Sequence, residues 1–163
     1  MTDQITSTKP VIGIDPGRNF GCTYMHSEGT IVLWGQLEKG GHLEYGVAAY
    51  DIVAALIGLS TKHTGHSKDI LCAIEGASYG SQYGQVGLAE IRFGFYLGLI
   101  HHPLKTVIIP PQSCRKFAFG SAKIKARELW PCIDPNGADS VGVAMALAQM
   151  EGALCIQQPF FQQ

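Results

Sequence analysis

Residues 11–34 read VIGIDPGRNFGCTYMHSEGTIVLW. The apolar run Val11–Ile14 ends on Asp15, and Pro16-Gly17 turns the chain at once. A carboxylate at the end of a buried strand is costly unless something compensates it. Asp15 therefore serves either the Pro-Gly turn, as Asp often does before such a pair, or a cation. Working outward, KPVIGID (9–15), GCTYMHS (21–27) and TIVLWGQL (30–37) predict three strands. The short turn His26–Gly29 joins the last two, so the three form an antiparallel meander.

Beyond the meander, apolar residues at 43, 47, 50, 53–54 and 56–57 carry helical spacing across 43–60. ILCAIE (70–75) is a second short apolar run closed by an acid, Glu75. A Gly/Ser/Tyr-rich loop follows, then a helix over 86–100 and a strand over 105–110. Residues 111–130 hold two helical patterns broken at Gly120, with Pro111 suited to a first turn and Ser121 to an N-cap. A small-residue-rich helix over 137–155 closes the pattern. The order β-β-β-α-β-α-β-α-α predicts an α/β mixed sheet covered by helices.

At 163 residues the chain is expected to form one domain, 1–163. The longest apolar region read from the sequence, 86–100, contains Glu90 and Arg92, which argues against a membrane span. The polar opening MTDQITSTKP is unlike a signal peptide. Five scattered cysteines with no CxxC pair suggest reduced thiols in a cytoplasmic protein. Net charge is −1, yet residues 101–130 hold six of the twelve Lys and Arg (Lys105, Arg115, Lys116, Lys123, Lys125, Arg127) against one acid, Glu128. Such a stretch is either a solvated face or a local surface for a polyanion.

Asp139 lies in the first turn of the last helix, where the helix dipole alone would favour an acid. Asp15 and Glu75 end strands from different parts of the chain. If those strands are neighbours, the carboxylates meet at one sheet edge, where open α/β sheets place ligands. Three such acids repel one another without a counter-charge. A hard divalent cation with oxygen ligands, such as magnesium, resolves the conflict.

With IGIDPG (12–17), AIEG (73–76), GSAK (120–123) and GADS before an apolar helix (137–147), the chain resembles the RuvC family of Holliday-junction resolvases, compact enzymes of bacteria and phages within the RNase H-like superfamily. The motifs stand in the family's order and span almost the whole chain. The resemblance implies a five-stranded mixed sheet, three antiparallel strands first, flanked by helices. It implies a magnesium-dependent endonuclease, two ions per site with manganese as a substitute, that nicks four-way junctions in pairs and leaves 5′-phosphates. Asp15, Glu75 and Asp139 would be the catalytic metal ligands. A fourth ligand, Asp or His in many relatives, falls at Asn136, with Asp134 the nearby acid. Lys123 matches the motif lysine, for a phosphate near the transition state. Arg115, Lys116 and Lys125 would support DNA binding, and Tyr79 or Tyr83 would stack on a base or pack within its own loop. The family further implies a homodimer matched to the junction's two-fold symmetry.

Other readings stand beside this one. A nuclease for flaps, forks or R-loops shares the same chemistry. A non-catalytic module of the same fold would bind branched DNA without cutting. An actin-like ATPase would need two duplicated domains, and this length holds one.

Overall fold

In the computed structural model, residues 5–38, 42–64, 69–77, 85–102 and 104–156 are described. The elements run β1 (Ile5–Ser7), β2 (Val11–Asp15), β3 (Asn19–His26), β4 (Gly29–Gln36), α1 (His42–Thr64), β5 (Leu71–Glu75), α2 (Gln85–Ile100), β6 (Lys105–Ile109), α3 (Pro111–Phe119), α4 (Ala126–Leu129), α5 (Pro135–Met150) and β7 (Leu154–Ile156). The main sheet has the order β4-β3-β2-β5-β6. Strands β2, β3 and β4 pair antiparallel, whereas β2–β5 and β5–β6 are parallel. The expected mixed sheet with its antiparallel meander is thus the observed one.

Alternation along the strands sends side chains into two layers. Ile12, Ile14, Cys22, Tyr24, Cys72 and Ile74 pack with α1 and α2. Val11, Met25, Leu71 and Ala73 pack with α3, α4 and α5. The second layer is unusually close. A Cβ at Gly13 would stand 2.6 Å from the Ser140 carbonyl oxygen, and one at Gly21 would collide with the Asn136 carbonyl. Only residues without side chains let α5 lie that near the strands. Two buried hydroxyls hold it there. Ser140 Oγ donates to the Gly137 carbonyl at 2.7 Å, so Thr23 Oγ1 donates to Ser140 Oγ at 2.8 Å.

Three local expectations are corrected. Two short strands, β1 and β7, pair antiparallel as a separate two-stranded sheet. The final helix ends at Met150, and residues 154–156 belong to β7. Ser121 caps no helix: its Oγ accepts from the Lys123 amide at 3.3 Å in a turn, and α4 begins only at Ala126. Among the described residues, one helix, α1, holds a window with the length and composition of a membrane span, Leu43–Ser60. Its Ala49, Val53, Leu56 and Ile57 are buried in the core.

Candidate active site

β2 and β5 run parallel, with Gly13 opposite Ala73 and Ile14 opposite Ile74. The next residues, Asp15 and Glu75, therefore end adjacent strands at the same edge. Alternation puts both on the α5 face, with Gly13 and Ala73. The chain winds one way from β2, through β3 and β4, and the other way through β5 and β6. This is the switch point at which such sheets open a crevice beyond their carboxyl ends.

α5 brings Asp139 to the same crevice. Its N-cap is Asp134, whose Oδ1 accepts from the Asn136 amide at 2.9 Å and from Asn136 Nδ2 at 3.0 Å. Pro135 occupies the first helical position, where its missing N–H costs nothing. Asp139 consequently stands in the second turn, not the first, half-buried between Ala138 and Ser140.

Electrostatics shows that the three acids share one environment. Asp15 is pushed well above the usual carboxylate range by burial, then by the Glu75 charge, by a hydrogen bond with Glu75 and by Asp139. Glu75 is raised by burial and by Asp139, while its hydrogen bond with Asp15 pulls it down. Of the two neighbours, Asp15 is the one pushed furthest from its ordinary range, chiefly by its burial. Burial raises Asp139 as well. Even the neighbouring thiol of Cys114 responds: burial first, then Glu75 and Asp15, push it up to about 12.

The opposing positive charge arrives from other elements. Arg115 on α3 lowers both Glu75 and Asp139. Arg92 on α2 lowers Asp15 and Glu75, and Arg127 on α4 lowers Asp139. Arg92 and Arg127 were not singled out by the sequence motifs. The available signal for Arg92 was a lone cation in the apolar run VGLAEIRFGFYLGLI. Lys116 and Lys123 are exposed and Lys125 is half-buried as the N-cap residue of α4. Lys105 stands at the opposite end of β6 and pairs with Glu151 at 2.5 Å, so it is no part of this edge. Tyr79 and Tyr83 lie outside the described residues.

The donor set suits a hard cation: carboxylate oxygens held together against their own repulsion. Among the described residues, however, no group of three His, Cys, Asp or Glu stands close enough to ligate one ion together.

Solved structures share the architecture. A Thermus thermophilus RuvC structure matches with a TM-score of 0.65 at 14% identity, over 91% of this chain and 99% of the other. T. thermophilus RuvC in complex with Holliday junction substrate matches with a TM-score of 0.63 at 13% identity, over 91% and 99%. No protein-family model matches the sequence, and no curated protein matches it. The chain has a RuvC-like fold.

Proposed function

We propose that this chain is a RuvC-type endonuclease for branched DNA, a single cytoplasmic domain that dimerises and resolves four-way junctions with magnesium or manganese. The observation that carries the reading is the convergence of Asp15, Glu75 and Asp139, each raised by burial, at the sheet's switch point. The T. thermophilus RuvC that shares the fold is described in complex with Holliday junction substrate, which supports the choice of DNA.

Asp15, Glu75 and Asp139 would hold the magnesium ions. Asn136 is the better fourth donor, because Asp134 Oδ1 already caps α5 while the Asn136 amide spends its N–H on Asp134. Its side-chain oxygen remains for a cation. Bound there, magnesium supplies Lewis-acid charge and a more acidic water. The chain's own part is to fix the carboxylates, keep bulk water from them and present cations to the backbone. Arg115 would meet a phosphate, a role supported by the reach of its charge to Glu75 and Asp139. Lys123 and Lys116, exposed nearby in sequence, would contact flanking phosphates, with Lys125 behind them.

A homodimer is supported by the apolar groove between α1 and α2. It encloses about 730 Å³ and is lined by Leu43, Val47, Tyr50, Phe93 and Leu97 among others. Leu43 is 79% exposed and Val47 55%. A second copy on this groove would give two acid clusters for two opposed strands.

The test incubates the purified chain with four-way junction, flap, fork, R-loop and linear duplex, with and without magnesium. Paired nicks in the junction are expected, and Asp15→Asn should abolish them while junction binding persists. Undiminished cutting by Asp15→Asn would remove Asp15 from the metal site. Preferential cutting of flaps or R-loops would keep the chemistry and change the substrate. Binding without cutting by the native chain would leave a binding module.

A further inference from the structure

Beside Glu75, on the α2 side, lies a second cleft of about 390 Å³ whose lining includes Glu75, Gly76, Arg92, Phe93, Tyr96 and Ile108. Its volume falls in the range of about 300–1,000 Å³ typical of small-ligand sites. Phe93 is 60% exposed, Tyr96 39% and Ile108 62%. A phosphate backbone has no use for three bare apolar side chains next to a carboxylate, whereas the face of a base does. Gly76 keeps the floor low: its amide donates to the Ile109 carbonyl at 2.8 Å, and a Cβ there would stand 3.2 Å from Ile108 Cγ2.

Arg92 supplies the polar element. Its charge acts on Asp15 and Glu75, yet its Nε is buried and has no hydrogen-bond partner among the described residues. A buried N–H left unmade is unfavourable and becomes an asset only when a ligand brings an acceptor. One donor beside aromatic and aliphatic walls fits a planar ring with an edge acceptor. Purines offer the larger face and the N7 acceptor.

We propose that this cleft receives a purine base adjacent to the cut phosphodiester, stacked on Tyr96 and Ile108 with N7 accepting from Arg92 Nε, and so sets nucleotide preference. The placement rests on the nuclease reading; the base binding does not. Phe93 also lines the α1–α2 groove, so variants at Tyr96, Ile108 and Arg92 are the cleaner probes.

The experiment uses the full chain and junctions carrying each base, a 7-deazapurine or 2-aminopurine in turn at each nucleotide near the branch. Cleavage is followed in magnesium and binding in EDTA. At one flanking position a purine should be cut about five-fold faster or more than a pyrimidine, as expected for one stacked base. The 7-deaza analogue, lacking N7, should fall toward the pyrimidine rate without any change to the protein. Arg92→Lys, which keeps the charge but loses Nε, should cut purine and 7-deazapurine alike. Tyr96→Ala and Ile108→Ala should relieve the quenching of 2-aminopurine at that position. Equal cutting of all four bases and of the 7-deaza analogue overturns the cleft while the nuclease reading stands. Tyr96-dependent quenching without cleavage supports the cleft and overturns the nuclease. Failure to quench 2-aminopurine at any position overturns the cleft, and failure to bind DNA overturns both.

Discussion

The two faces of the sheet are built on opposite rules. On the α5 face the contact is backbone to backbone, through Gly13, Gly21, Ala138 and Ala144, and added atoms meet main chain that cannot step aside. On the α1–α2 face the contact is made by large side chains, Phe95, Leu56 and Leu99, and more apolar surface is left outside. The close face fixes the helix that carries Asp139, so the third acid cannot drift from the other two. The looser face leaves surface for a partner. Gly13→Val should show the contrast most sharply. Its side chain would drive into Ser140 and Ala144, costing about 3 kcal/mol or more, at the upper end for overpacking. Gly58→Ala in α1, where a Cβ meets nothing within 4 Å, should instead gain up to about 1 kcal/mol. Urea titrations read both; equal effects would mean that α5 packs on the strands no more closely than the open surface of α1 does.

The next largest effect concerns the looser face alone. Val47→Glu places a charge in the α1–α2 groove while the residue is already 55% exposed. Folding should persist by circular dichroism, and light scattering should show monomer in place of the proposed dimer, weakened about ten-fold or more by the desolvated charge. Junction cutting should then change from paired to single nicks. A variant that remains dimeric would move the interface elsewhere.

The same contrast explains what the sequence could disclose. The antiparallel meander was legible from its short turn, and Asp15 and Glu75 because β2 and β5 are short apolar runs each closed by an acid; that these two strands are neighbours was a condition the sequence did not settle. Asp139 was legible through the small residues around it. Strands β1 and β7 were not: they are three residues each, and their pairing, Ile5 with Ile156, joins the two ends of the described chain. α5 starts at Pro135, two residues before the expected 137, because Asp134 caps it and Pro135 suits its first turn. Arg92 and Arg127, the latter already counted in the basic stretch, could not be assigned to the acids from sequence. What makes them part of the site is their approach from α2 and α4, and no spacing along the chain encodes that.

The smallest effect tests the raised carboxyl of Asp15 at the close face. In the folded chain Asp15 holds its proton to higher pH than an ordinary aspartate, chiefly through burial and then Glu75. Between the ordinary value of 3.8 and the raised one, the folded state binds a proton that the unfolded state has lost. Stability without metal therefore falls as pH rises through that window, and above it the full loss remains. Asp15→Asn cannot ionise and escapes the loss. In EDTA its Tm should exceed that of the native chain at pH 7, by about 2–4 °C for each kcal/mol relieved in a chain of this size. The gain should vanish toward pH 3.5, where both side chains are neutral. Magnesium should reverse the order at pH 7, because only the native chain offers the cation three carboxylates, and binding to the folded state alone raises its Tm. A gain that is the same at pH 3.5 and pH 7 would mean that packing, rather than the buried charge, separates the two proteins.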